Sequence, residues 1–152
     1  MSARDTRQSE APLTGRCHCG NLELALETSV RPEELALRAD ACSFCRRHGA
    51  RTTSDPSGRV VITVHRPDEL VRYRFGLETA DFLVCTRCGI YVAAVMNEGS
   101  RSYATVNVNT LDAVDRFTQP ATPVTYEGES AAERAARRKA RWTPAVIVEA
   151  RR

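Results

Sequence analysis

The sequence predicts a mainly β domain cross-linked by clustered thiols, and three observations carry that expectation. Short apolar stretches of strand character recur about every ten residues. Six cysteines fall into three close pairs, and strong helical composition is confined to one segment near the C-terminus. A chain of 152 residues suits one domain with a sizeable core. Apolar residues at 42% and charged residues at 27% are the composition of an ordinary globular protein.

Taken in order, residues 1–13 are rich in Ser, Arg and Glu with little to bury, and read as a flexible N-terminal tail. Residues 14–152 read as a single domain. Thr14 to Gly20 makes a tight turn, and behind it Leu22, Leu24 and Leu26 alternate with Glu23, Ala25 and Glu27 as a half-buried strand. Arg38 to Ala50 reads as a loop entering a short helical turn. Ser54 to Gly58 has turn chemistry, and the β-branched run Val60 to Val64 follows as a strand. Leu70 to Phe75 is a further strand, with Val71, Tyr73 and Phe75 on one face. Phe82–Val84 and Ile90–Val95 form the arms of a hairpin, and Tyr103 to Val108 alternates again. Ser130 to Arg141 has high helix propensity, Pro144 stops it, and Ala145 to Val148 adds a last strand.

The net charge of +3 is local. Residues 129–152 hold seven Arg/Lys against three Glu, and the rest of the chain is nearly balanced. No stretch approaches the roughly 20 apolar residues that span a bilayer. Met1 to Ala11 has no apolar core of a secretory signal, so a cytoplasmic location is the expectation.

In a reducing compartment, close-spaced cysteines point to metal or redox chemistry rather than disulfides. The pattern is Cys17-x-Cys19-Gly, Cys42-x-x-Cys45 and Cys85-x-x-Cys88-Gly. Zinc takes four soft ligands in a tetrahedron, and a glycine after a cysteine pair permits the positive φ that such a knuckle needs. The two outer pairs, each followed by glycine, read as one closed site on Cys17, Cys19, Cys85 and Cys88. Cys42 and Cys45 are then left over, either as a spare dithiol or as the core of an incomplete site. An incomplete zinc site keeps a position open for water or substrate. The candidate further ligands are Asp40, which can equally cap a helix, and His48, which can equally be a surface residue.

These motifs resemble the family of glutathione-dependent formaldehyde-activating enzymes, also called the centromere protein V family. The matching residues are Gly15 to Gly20, Cys42 to Ala50, and Phe82 to Gly89, in the family's order and spacing over roughly Thr14 to Val108. The resemblance implies a β-tent of stacked short antiparallel sheets built around a Cys₄ zinc site, here with a short C-terminal helix. It implies a structural zinc on Cys17, Cys19, Cys85 and Cys88, and carbon–sulfur lyase chemistry joining glutathione and formaldehyde into S-hydroxymethylglutathione. It also implies a catalytic zinc on a Cys-x-Cys-x-x-Cys run. Cys42 and Cys45 match the last two positions of that run, and Asp40 stands at the first. A carboxylate ligates zinc at about 2.0–2.2 Å but is a harder donor than a thiolate.

The first reading is therefore an enzyme of thiol–aldehyde adducts with an altered second zinc site at Asp40, Cys42 and Cys45. Arg46, Arg47 or Arg51 could hold a substrate carboxylate, unless they form a solvated face. The second reading is a non-catalytic zinc-stabilised module whose basic segment, residues 128–152, contacts an acidic partner or nucleic acid. Arg134, Arg137, Arg138 and Arg141 would then form a stripe along a helix. Aromatics are only 6% and none interleaves with that stripe, which disfavours nucleic acid. A redox or metal-buffering dithiol at Cys42 and Cys45 is a third reading. Trp142 beside the stripe reads as a core anchor.

Overall fold

The computed structural model describes residues 11–150. Its strands are β1 (Leu13–Arg16), β2 (Leu22–Glu27), β3 (Arg38–Asp40), β4 (Thr52–Thr53), β5 (Arg59–Val64) and β6 (Leu70–Tyr73). They continue with β7 (Asp81–Cys85), β8 (Tyr91–Glu98), β9 (Arg101–Asn107), β10 (Thr122–Val124) and β11 (Thr143–Glu149). Two α-helices, α1 (Ser43–His48) and α2 (Ala131–Arg141), interrupt them. The molecule is mainly β, with one short helix near the C-terminus, as the strand periodicity predicts. Among the described residues no helix is long and apolar enough to cross a membrane.

The strands join in one branched network of order β1-β2-β5-β11-β9-β4-β3-β10, with β8, β7 and β6 extending from β9. Among the described residues most pairs are antiparallel, and two are parallel. β11 runs parallel to β5, with Ala145 opposite Val60 and Glu149 opposite Val64. β10 runs parallel to β3, with Val124 opposite Asp40. Both parallel partners are far apart in the chain, so the local pattern on which strands are read carries no signal for them. Leu13, assigned to the tail by composition, opens β1 and pairs with Leu26, so part of that segment is sheet. The rest of the tail expectation, residues 1–10, lies outside the described residues.

Leu22, Leu24 and Leu26 are all buried, as their alternation predicts, and they pack with Val60, Ile62 and Val64. β8 differs, because Tyr91 to Met96 is buried without alternation. Both of its faces are covered: Val92 and Val95 join the main core, while Tyr91, Ala94 and Met96 join a second cluster with Cys45, Ala80, Tyr103 and Trp142. The main core includes Cys17 and Cys85, so the two sets of thiols belong to different cores. Trp142 is buried, in the anchoring role its position predicts.

α2 begins with a capping box in which Ser130 and Glu133 each bond the other's backbone N–H. The N–H of Trp142 closes the last turn on the Arg138 carbonyl, and the chain passes directly into β11. Pro144 lies within β11, where it pairs with Tyr103 of β9.

Candidate metal centres and the adjoining cavity

Two groups of thiols are assembled by two different structural devices. The first uses two knuckles. The turn between β1 and β2 carries Cys17 and Cys19, while Cys85 ends β7 and Cys88 lies in the turn between β7 and β8. Gly20 and Gly89 have φ of 85° and 80°, the left-handed conformation expected after each pair. The Gly20 N–H reaches the Cys17 carbonyl at 3.1 Å, and the Gly89 N–H reaches that of Cys85 at 2.8 Å. The four sulfurs lie within 4.8 Å of one another. Two of the separations are 3.7 Å (Cys17 to Cys19) and 3.5 Å (Cys19 to Cys85). A zinc tetrahedron with Zn–S near 2.3 Å has edges of about 3.8 Å. The donor set and its spacing thus fit a metal ion.

The surroundings suit thiolates. The Leu22 N–H points at Cys17 Sγ at 3.3 Å, Asn21 Nδ2 lies 3.9 Å from Cys85 Sγ, and an Arg66 guanidinium nitrogen lies 3.8 Å from Cys19 Sγ. Burial pushes the Cys17 thiol up to about 12. Against its own partial burial, Cys88 is held down to about 6 by the Cys19 and Ile90 backbone N–H groups and by the Cys17 and Cys85 thiols. Four thiols this close do not all ionise unless a cation replaces their protons.

Asn21 was missed by sequence reading. It is fully buried, and it accepts the Arg66 N–H at 2.6 Å while donating to the Arg66 and Glu69 carbonyls at 3.2 and 3.4 Å. It therefore ties the first knuckle to the turn before β6. Its place immediately after Gly20 in the knuckle was the available signal.

The second group uses a strand end and a helix start. Asp40 ends β3, Cys42 is the N-cap of α1, and Cys45 is buried on its first turn. The carboxylate and the two sulfurs lie within 4.8 Å of one another. Asp40 Oδ1 accepts the Cys42 N–H at 2.9 Å, and Cys42 Sγ accepts the Cys45 N–H at 3.3 Å. Asp40 does not cap α1, whose N-cap is Cys42; its carboxylate instead organises the turn that leads into the helix. The Cys45 thiol and backbone N–H hold Cys42 down to about 7 against burial. Cys45 is pushed up by donating to Cys42 and by burial. His48 is not a member of this group: it is exposed at the end of α1, its ring 4.5 Å from that of Phe44.

Asp40, Cys42 and Cys45 open onto a cavity of about 310 Å³. The Cys₄ group does not line it. Nor do Arg46, Arg47 or Arg51, the arginines that sequence order suggests for a substrate carboxylate. Arg47 reaches the Ser43 carbonyl, and Arg51 is spent on Asn109 Oδ1 and the Phe117 carbonyl. The cavity is lined instead by Arg38 of β3 and by Arg134, Arg137 and Arg138 of α2. Three of the four residues expected to form an outward stripe thus face the cavity, and Arg138 is buried. The carbonyl of the fourth, Arg141, accepts the Ser54 hydroxyl.

A family model for the glutathione-dependent formaldehyde-activating enzymes matches residues 12–127, which include both thiol groups. The chain belongs to this family. Among solved structures, a Rhodobacter sphaeroides protein matches at 31% identity with a TM-score of 0.51, covering 75% of this chain and 100% of that one. No curated protein matches at a significant level. The family match ends before α2, so the helix that supplies three of the cavity's four arginines lies beyond it.

Proposed function

We propose that this family member binds two zinc ions and catalyses the joining or cleavage of thiol–aldehyde adducts, as a carbon–sulfur lyase of the S-hydroxymethylglutathione synthase type. The observation that carries this reading is the contrast between the two thiol groups. Cys17, Cys19, Cys85 and Cys88 offer a complete tetrahedron at the edge of the core, whereas Asp40, Cys42 and Cys45 offer three donors on a cavity wall. Closed zinc sites stabilise folds, and three-ligand sites leave a position for substrate.

The setting proposed for this chemistry is the reducing cytoplasm, where close-spaced thiols serve as metal ligands more often than as disulfides. Zinc bound at Asp40, Cys42 and Cys45 would supply a Lewis acid that keeps a substrate thiol ionised at neutral pH. In the forward direction the substrate sulfur forms a bond to the aldehyde carbon, the carbonyl π bond breaks, and the oxygen takes up a proton to become a hydroxyl. The reverse step breaks the same carbon–sulfur bond. Tyr91, buried in the cavity wall with Cys45, Cys42 and Asp40 near its ring, keeps its phenol protonated through burial. Phe75, Phe82 and Trp142 contribute apolar surface to the same wall.

The test is a comparison with the uncatalysed reaction. Exchange of formaldehyde between free and glutathione-bound forms is followed by magnetisation transfer, with and without the zinc-loaded protein. Acceleration by wild type and its loss in Asp40→Ala and Cys42→Ser support the assignment. An unchanged rate in Asp40→Ala would falsify it.

A further inference from the structure

The cavity's charge is out of balance in a way that the three-donor site does not use. Arg38, Arg134, Arg137 and Arg138 line it, against the carboxylates of Asp40 and Glu127. Arg134 and Arg137 have a counter-charge of their own, since Glu129 lies 3.5 Å from the first and 3.0 Å from the second. Arg38 and Arg138 do not. Among the described residues neither has a carboxylate within ion-pair distance; their partners are neutral. Arg38 donates to the Ser54 hydroxyl, and Arg138 donates to the Thr79 hydroxyl at 2.9 Å and to its carbonyl at 3.3 Å. Arg138 is only 7% exposed, its Nε has no partner among the described residues, and its guanidinium lies 4.7 Å from the Trp142 ring centroid.

Two guanidiniums half or wholly removed from water, beside one cavity and with no carboxylate at ion-pair distance, are only partly compensated in the free protein, by Asp40 acting on both and Glu129 on Arg138 from further away. A planar oxyanion satisfies guanidinium donors better than water does, through charge-assisted hydrogen bonds. Burial and the neighbouring Arg137 and Arg134 lower Arg138 to about 10, and burial with Arg137 and Arg141 lowers Arg38 too; both remain charged at neutral pH.

We propose that Arg38 and Arg138 form an oxyanion clamp on the wall of the same cavity, selecting substrates that carry a carboxylate, sulfonate or phosphate in addition to the reacting sulfur. The substrate class is thus an acidic thiol or its aldehyde adduct, and an extension of the chain beyond the family match supplies half of the recognition. The cavity's 310 Å³ lies at the lower end of the range for small-molecule sites, which favours a compact acid. This inference rests on the proposed thiol chemistry for the sulfur end of the ligand, but the acid end stands on its own observations.

The experiment is calorimetric binding to zinc-loaded protein with three probes: 3-mercaptopropionate, 2-mercaptoethanol and propionate. Wild type is expected to bind 3-mercaptopropionate at least about tenfold more tightly than 2-mercaptoethanol. Arg38→Gln and Arg138→Gln are expected to remove that preference while leaving 2-mercaptoethanol binding unchanged. Propionate is expected to compete with 3-mercaptopropionate. Equal affinity for the two thiols, or a preference that survives in a folded Arg38→Gln, overturns the clamp. If Arg138→Gln fails to fold, Arg38→Gln decides alone. Propionate binding that depends on Arg38, with no binding of 2-mercaptoethanol, supports the clamp and sinks the thiol chemistry.

Discussion

The Asp40 carboxylate accepts the Cys42 backbone N–H at 2.9 Å while lying in the same 4.8 Å group as the Cys42 and Cys45 sulfurs. One side chain therefore shapes the turn and completes a three-donor set. A cysteine at this position would give a third soft ligand. Aspartate keeps the donor count with a harder atom, and a zinc ion held this way would be more Lewis-acidic.

These two roles of Asp40 can be separated. Zinc per chain, measured on protein purified without chelator, is expected to be two in wild type and one in Asp40→Ala. Asp40→Asn retains an oxygen for the Cys42 N–H, so it should recover about 1 kcal/mol of stability relative to Asp40→Ala while still losing the second zinc. Asp40→Cys should restore two ions. One zinc per chain in wild type would refute the second centre.

The Cys₄ group is expected to carry the heavier structural load. A structural zinc contributes about 10–16 kcal/mol of apparent binding free energy, and a domain's whole stability is about 5–15 kcal/mol. Cys17→Ser or Cys85→Ser, each removing a fully buried ligand, should abolish cooperative thermal unfolding. Cys42→Ser should leave a cooperative transition near that of wild type. Circular dichroism melts of the three variants provide the check.

Cys42 should react before Cys45 in zinc-stripped protein. Its thiol is held near 7, below the unperturbed value of about 8.5, because Cys45 donates to the thiolate form. Removing that donor disfavours the charged form, so the half-titration point moves up. Iodoacetamide alkylation of Cys42, followed by mass spectrometry across pH 5 to 10, should have its midpoint near 7 in wild type and at higher pH in Cys45→Ala. An unshifted midpoint would show that Cys45 is not the cause.

Gly15 makes the close approach between β1 and the turn after β9 possible. A Cβ there would sit 2.4 Å from the Thr110 carbonyl oxygen and 2.9 Å from Leu111 Cα, both of them backbone. Gly15→Ala is therefore expected to cost about 1–3 kcal/mol. Because Cys17 follows two residues later, the variant should also release zinc to a colorimetric chelator faster than wild type does. Unchanged stability and release would mean that β1 can shift without moving the knuckle.

The fold class was legible because its determinants are local. Alternation in Leu22–Leu26 and the β-branched run at Val60–Val64 are properties of neighbouring residues, and both became buried strands. Ser130 and Glu133 supply a capping box readable at a spacing of three. Short strands without alternation were not legible. Thr52–Thr53 and Thr122–Val124 are held by partners elsewhere in the chain, as is the parallel contact of β11 with β5.

The candidate sites divide along the same line. By itself the sequence determined the donors: which cysteines come in pairs, which glycines close the knuckles, and that Asp40 stands two residues before Cys42. Ligand type and short spacing are covalent facts. The glycine after each outer pair also pointed to their joining in one group, as they do; only the tertiary structure decided that the inner pair opens onto a cavity. It also decided that the C-terminal arginines turn inward. A helix sequence fixes which residues share a face, but not whether that face meets water or protein. Here the Arg138–Thr79 contact and the Trp142 anchor settle the question.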